Sequence, residues 1–307
     1  PANAAAFTPA ISNDGRYIAY SSAATNLVPN DTNNSRDIFL FDAFTQTVRR
    51  VSTDTVNGEA VGASERPHLS GDGHYLTFST LAAFVPEDTN NQRDIYVKDL
   101  QKGKIERVSL DNSGTQGDDF SDHPIISGDG SFVAFDSKAS TLAPPDINAE
   151  TDVFVYDRLA GSNPLLRASL SDNGVQGAFA SVEPAGSLDG EWVAFATQSN
   201  NFTRDDSNDL VDIFVRGFTS RTTVKFSRAT DGSEANGASS QPTISADGQI
   251  VAFTSLASNF LPGDANGTSD IYVSTAATGV YARASVSSTG VGGDDASSEP
   301  MISGDGR

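Results

Sequence analysis

Cysteine is absent from the 307 residues, and with it go disulfides, thiolate metal sites and cysteine nucleophiles. That absence leaves the compartment open. Basic charge is scarce: 20 Lys plus Arg stand against 40 Asp plus Glu, a formal charge of -20. Nucleic acid and anionic membranes are held by clustered basic side chains, so neither is expected as a partner. No apolar run approaches the roughly 20 residues that cross a bilayer as a helix, so no membrane insertion is expected. Histidine is limited to His68, His74 and His123, and methionine to Met301. No segment carries a convincing helical period, and the Gly, Pro, Asn and Ser content would break one. The chain opens at Pro1 without Met or a signal-peptide pattern, so it is expected to be processed or a fragment.

What is present is a repeat. Pro9, Pro67, Pro124, Pro184, Pro242 and Pro300 recur at steps of 58, 57, 60, 58 and 58 residues. Each proline precedes a turn motif, from "AISNDGRYIAYSS" to the closing "MISGDGR". The Asp-Gly pairs at Asp14, Asp72, Asp129, Asp189 and Asp247 sit between short β-type runs, and a two-residue hairpin is expected there. Four strands per unit follow: one through the proline, then runs such as "YIAYS", "DIFLFD" and "TVRRVS". The second and third runs are apolar almost throughout, as in sheets covered on both faces. A four-stranded unit repeated in this way predicts an all-β fold, a β-propeller.

The "P-x-[IL]-S-x-D-G" core followed by "D-[IV]-[FY]-[VL]" resembles the TolB-like Pro-Asp propeller repeats of bacteria, from Pro9 to Arg307. The resemblance implies one propeller domain over residues 1–307, with repeats 9–66, 67–123, 124–183, 184–241 and 242–299 and a partial repeat 300–307. Five complete repeats plus the first strand of a sixth lead us to expect a six-bladed parent, with a five-bladed ring as the alternative. An unfinished blade exposes an edge that invites pairing with another chain, so self-association is a further expectation.

Between strands two and three every repeat carries D-x-N-x-x-x-D. The positions are Asp31, Asn33 and Asp37; Asp88, Asn90 and Asp94; Asp146, Asn148 and Asp152; Asp206, Asn208 and Asp212; and Asp264, Asn266 and Asp270. Hard oxygens at the first, third and seventh places suit Ca²⁺, which takes six to eight of them on a flexible loop. Bacterial propellers with "GDTNG-x-x-D" loops, matched most nearly by "GDANGTSD" at Gly263–Asp270, imply calcium as the ion. The same residues also build Asx turns without any metal. Weak calcium sites fill outside the cytosol, which points to an extracellular or cell-surface protein, with the periplasm as alternative.

Ser64, Ser121, Ser181, Ser239 and Ser297 each lie three residues before a repeat proline, and recurrence in every repeat assigns them a structural hydroxyl. His123 has Arg66, Glu183, Gln241 and Glu299 as counterparts, the place where an enzymatic propeller would act. No acid, base and nucleophile trio is recognisable there, so the chain is expected not to be an enzyme. The reading is a secreted or surface, calcium-stabilised interaction module. A TolB-like periplasmic protein-binding propeller is the alternative, and a hydrolase or lyase with a central site the second.

Overall fold

In every repeat the Ser-x-Asp-Gly segment closes a four-residue loop in place of the expected two-residue turn. In the first, Ser12 N–H donates to Tyr17 O at 3.0 Å and Gly15 N–H to Ser12 O at 2.9 Å. Within that loop only Gly15 takes a positive φ, of 72°. Asp14 contributes its side chain instead, accepting from Ser12 Oγ at 2.6 Å and Arg16 N–H at 3.0 Å. The glycine of the next repeat, Gly73, lies over the Tyr17 ring, where a Cβ would come within 2.7 Å. This position therefore needs glycine both for its φ and for close packing.

The computed structural model describes residues 1–306 except 57, 60 and 163; Arg307, where the partial repeat ends, lies outside the described residues. Among the described residues, twenty strands form five four-stranded antiparallel sheets, each built from consecutive strands. The first holds β1 (Ala6–Ile11), β2 (Tyr17–Ser22), β3 (Asp37–Asp42) and β4 (Thr47–Arg50). The second holds β5 (Ser64–Leu69), β6 (Tyr75–Thr80), β7 (Asp94–Asp99) and β8 (Ile105–Arg107). The third holds β9 (Ser121–Ile126), β10 (Phe132–Ser137), β11 (Asp152–Asp157) and β12 (Leu165–Arg167). The fourth holds β13 (Ser181–Gly186), β14 (Trp192–Thr197), β15 (Asp212–Gly217) and β16 (Thr223–Lys225). The fifth holds β17 (Ser239–Ile244), β18 (Ile250–Ser255), β19 (Asp270–Thr275) and β20 (Gly279–Arg283). No helix among them is long and apolar enough to cross a membrane.

The chain divides into two compact units, Pro1–Asp146 with Phe154–Leu166, and Ile147–Val153 with Arg167 onward. In the first unit, Leu40, Leu76, Phe78 and Tyr96 join the first and second sheets in one core. Val97, Phe135 and Phe154 do the same for the second and third sheets. In the second unit Ile213, Val215, Phe253 and Tyr272 join the fourth and fifth. Burial on both faces is why strands two and three read as unbroken apolar runs.

Three of the five recurrent serines take part in hydroxyl hydrogen bonds within their sheets. Ser64 and Thr80 share a hydrogen bond of 2.9 Å between hydroxyls, as do Ser121 with Ser137 and Ser239 with Ser255 at 2.9 Å. The sixth-repeat segment keeps the local habits of a first strand. Glu299 has φ 56° and Ser303 Oγ donates to Asp305 at 2.7 Å. It forms no ladder among the described residues.

Candidate functional site

Three of the five acidic loops start from an aromatic pin, while the first and third have Leu27 and Leu142 in its place. Phe84 packs edge-on against Phe78 and Tyr96, at centroid distances of 5.8 and 5.5 Å. Phe202 and Phe260 do the same in their repeats. Four residues later comes the first Asp of the motif. The Asn that follows makes an Asx turn: its Oδ1 accepts from the backbone N–H two residues on, at 2.8 Å for Asn33, 3.0 Å for Asn90, 3.1 Å for Asn148 and 3.0 Å for both Asn208 and Asn266. Its amide nitrogen then faces the site. Asn33 Nδ2 donates to Asp37 at 3.0 Å, and Asn90, Asn148 and Asn208 donate to the carbonyls of Gly117, Gly177 and Ala235. Asn266 Nδ2 donates both to Asp270, at 3.2 Å, and to the Gly293 carbonyl.

A basic side chain from strand four enters each loop. Arg107 Nη1 lies 3.1 Å from Asp88 and 3.4 Å from Asp94, and the Arg107 side chain is only 4% exposed. Lys225 Nζ lies 3.1 Å from Asp206 and 2.8 Å from Asp212. Arg283 Nη1 is 3.4 Å from both Asp264 and Asp270. Arg50 Nη1 is 3.5 Å from Asp31 and 3.6 Å from Asp37, and Arg167 Nε is 3.3 Å from Asp152. Asp146 is partly buried at the matching place in its loop. Two residues beyond each cation a serine closes the arrangement. Ser52, Ser109, Ser169, Ser227 and Ser285 donate to Asp37, Asp94, Asp152, Asp212 and Asp270. The same hydroxyls accept the N–H of the next residue, such as Ile38 at 3.0 Å and Ile213 at 2.9 Å.

The crossover after strand four adds one more group, and it varies. Glu59 accepts from Thr32 and Arg50, and Glu234 from Ser207 and Lys225. Gln116 accepts from Arg107 at 3.1 Å, while Gln176 donates to Asp152 at 2.8 Å. Repeats one and four thus hold three acids to one cation. Burial, reinforced by Asp212 and Glu234, raises the Asp206 carboxyl to about 6 although Lys225 opposes it. Burial also raises Asp31, Asp37 and Asp94. Against its own burial, hydrogen bonds from Thr32 and Arg50 hold Glu59 at about 2.

The sign of the pH dependence follows from linkage. A carboxyl near 6 when folded and near 3.8 when unfolded stabilises the fold at low pH and loses that effect as pH rises through 6. The wild-type melting temperature is therefore expected to fall by a few degrees from pH 5 to pH 7, and Asp206→Asn is expected to flatten that slope. An equally steep slope in the variant would show that Asp206 is not its source.

Calcium asks for six to eight oxygens at about 2.3–2.6 Å. In four of these loops a guanidinium or ammonium lies within 3.6 Å of both carboxylates, and each Asn oxygen already accepts a backbone N–H of its own loop. In repeat one Asp31, Asp37 and Glu59 bring carboxylate oxygens within 4.8 Å of one another, yet Arg50 is among them. As they stand, these residue sets do not fit the ion. The partners that sequence reasoning missed are Arg50, Arg107, Arg167, Lys225 and Arg283 with their serines. Their signal was an Arg/Lys-x-Ser motif beginning 13 residues after the strand-three Asp, or 15 in the third repeat.

A second recurrent feature lies on the first strands. Thr8, Arg66, His123, Glu183, Gln241 and Glu299, each just before a repeat proline, have φ between 47° and 56°. In the five paired first strands the ladder shifts register there, as in a β-bulge. Residues before proline favour extended backbone, so the bulge re-aims these side chains against local preference. Glu183 Oε2 accepts Gln241 N–H at 2.7 Å, and Gln241 Oε1 accepts Glu299 N–H at 3.1 Å. Two residues beyond the bulge residue of the second repeat, His68 Nδ1 accepts Ile126 N–H at 3.2 Å, and burial lowers its pKa to about 4, leaving it neutral.

No protein-family model matches the sequence, and no curated protein does. Solved structures do. TolB from Acinetobacter baumannii matches with TM-score 0.52 and 18% identity over 90% of this chain and 53% of its own. A putative TolB from Agrobacterium tumefaciens matches with TM-score 0.55 and 14% identity over 91% and 80%. The fold is that of a TolB-like β-propeller. This chain spans about half the length of the Acinetobacter protein. An oligogalacturonate lyase in complex with manganese also matches, with TM-score 0.54 and 14% identity over 92% of this chain and 66% of its own. A prolyl endopeptidase does so with TM-score 0.54 and 12% identity over 91% and 35%. The expectation that the chain is not an enzyme is corrected by these matches, because the same fold carries enzymes of two kinds. A missing sequence trio does not exclude chemistry on this scaffold.

Proposed function

We propose that the chain is a TolB-like propeller that binds protein partners outside the cytosol, with the periplasm favoured over the cell surface by the TolB likeness. Its five acidic loops then act as internal clasps closed by Arg or Lys, and calcium is not needed to hold them. The observation that carries the binding role is the recurrent bulge. One backbone device lifts six polar side chains of five kinds from six equivalent positions, from Thr8 to Glu299. A constant frame presenting varied side chains is how scaffolds display recognition groups. Repeats that served packing alone would converge on one residue type there.

The test is capture from a bacterial envelope extract on immobilised protein, with the captured partner then remade and titrated by calorimetry. A specific partner is expected, with binding weakened about ten-fold or more by Glu183→Ala or Gln241→Ala. A partner whose affinity ignores every bulge position would contradict this reading.

A further inference from the structure

The repeats serve as internal controls for one another at the bulge. Opposite it on strand two, the register places Ser21, Ser79, Asp136, Ala196 and Thr254 at equivalent positions. In repeat one Thr8 and Ser21 share a hydrogen bond of 3.2 Å, and in repeat five Thr254 donates to Gln241 at 3.0 Å. The slot needs only a small neutral residue. Repeat three instead puts a carboxylate there that is 2% exposed, and sets His123 Nδ1 2.9 Å from it. Burying an acid is costly without a purpose or a partner.

The surroundings are also unusual for a chain of charge -20. Glu65 is shared by Arg36 at 2.6 Å and Arg93 at 2.9 Å. Asp122 is shared by Arg66 at 3.3 Å and Arg93 at 3.9 Å. Three guanidinium groups thus meet Glu65 and Asp122, the Asp136 carboxylate beside His123 brings the count to three of each sign, and a protonated His123 leaves the set net positive. Arg66 is the most exposed of the three, at 43% of its side chain, and His123 is exposed at 34%.

We propose that His123, backed by Asp136 and flanked by Arg66, forms a binding site for a carboxylate-bearing ligand. The buried Asp136 holds Nδ1, so Nε2 is the atom left to meet the ligand. The Arg66 guanidinium supplies a planar, permanently charged fork for the same carboxylate. The groups acting on His123 fix the pH response. Burial opposes its charge, Asp136 favours it most, Arg66 opposes it and Asp122 favours it, with a net upward shift. The imidazolium therefore persists to higher pH than in a free histidine, and carboxylate binding weakens as it deprotonates. The site uses two of the bulge positions on which the partner reading rests, Arg66 and His123, but its test is separate, because a small anion would bind whether or not a protein partner exists.

Long-range ¹H–¹⁵N correlation of the imidazoles provides the test, since the chain has three histidines. His74, half exposed beside Asp72, serves as the surface control. Succinate and a tetraglutamate peptide are the probes, at constant ionic strength held with chloride. Saturable shifts at His123 are expected at pH 6, weaker at pH 8, and absent at His74. Tighter binding of succinate would assign the ligand to free small acids, and tighter binding of the peptide to acidic protein segments. His123→Gln and Arg66→Gln should each weaken binding about ten-fold or more. Asp136→Ser installs the residue that repeats one and two carry at this slot, so the fold should persist while the His123 pKa falls and binding weakens. Shifts at His123 no larger than at His74 for both probes, or unaltered affinity in Asp136→Ser and Arg66→Gln, would overturn the proposal.

Discussion

Arg107→Met is expected to lower stability by about 3–5 kcal/mol, the usual loss when one partner of a buried ion pair is removed. The side chain is buried between Asp88 and Asp94, which are 6% and 1% exposed and would be left facing each other. Gln116 and the Glu87 carbonyl, which also accept from Arg107, would lose their donor. Repeat four shows that an ammonium can do the same work, because Lys225 closes its loop at 2.8 and 3.1 Å. Arg107→Lys is therefore expected to recover at least half of the loss. Adding Asp88→Asn and Asp94→Asn to Arg107→Met should also recover part of it, since the uncompensated charge disappears. Urea denaturation followed by circular dichroism reads all three. A loss under about 1 kcal/mol for Arg107→Met would mean that the acids are neutralised by something else.

Phe202→Ala should cost about 3–5 kcal/mol through the cavity it leaves. The ring is 5% exposed and stands edge-on to Phe195 and Phe214, at centroid distances of 5.9 and 5.5 Å. It also fixes where the acidic loop leaves strand two, four residues before Asp206. The substitution should therefore speed amide exchange at Ile213, whose N–H donates to Ser227 in the clasp. Leu142 fills the same place in repeat three, 1% exposed in its core. Phe202→Leu should accordingly lose under about 1.5 kcal/mol. Equal losses for Ala and Leu would show that edge-on ring contacts, and not filled volume, hold the loop.

The repeat and its four strands were legible because proline, Asp-Gly and apolar runs act locally. "DIFLFD" became β3 with the bounds its pattern implied. The acidic triplets were legible as clusters, but their counter-ions were not. Arg50 lies 13 residues beyond Asp37 and reaches it only because β4 pairs with β3. Nor does spacing reveal which atom of an Asn points inward. Asn33 at the third place reads as an oxygen ligand, yet the Asx turn claims that oxygen and presents the amide nitrogen. The bulges ran against local preference, since a residue before proline is expected to be extended while His123 has φ 50°. For the same reason the pairing of His123 with Asp136 was hidden. It depends on the register of two strands and on no motif.

Loops that carry their own cations gain nothing from calcium, and melting with and without the ion reads this. The purified protein is melted in excess EDTA and again in about 1 mM calcium. Five independent sites with Kd near 10⁻⁴ M would each add about 1.4 kcal/mol, about 7 kcal/mol together, and raise the melting temperature by many degrees. Clasps closed by Arg50, Arg107, Arg167, Lys225 and Arg283 predict the same melting temperature in both buffers, within about 1 °C. A rise of several degrees with calcium, abolished by EDTA, would contradict the account and return the loops to metal.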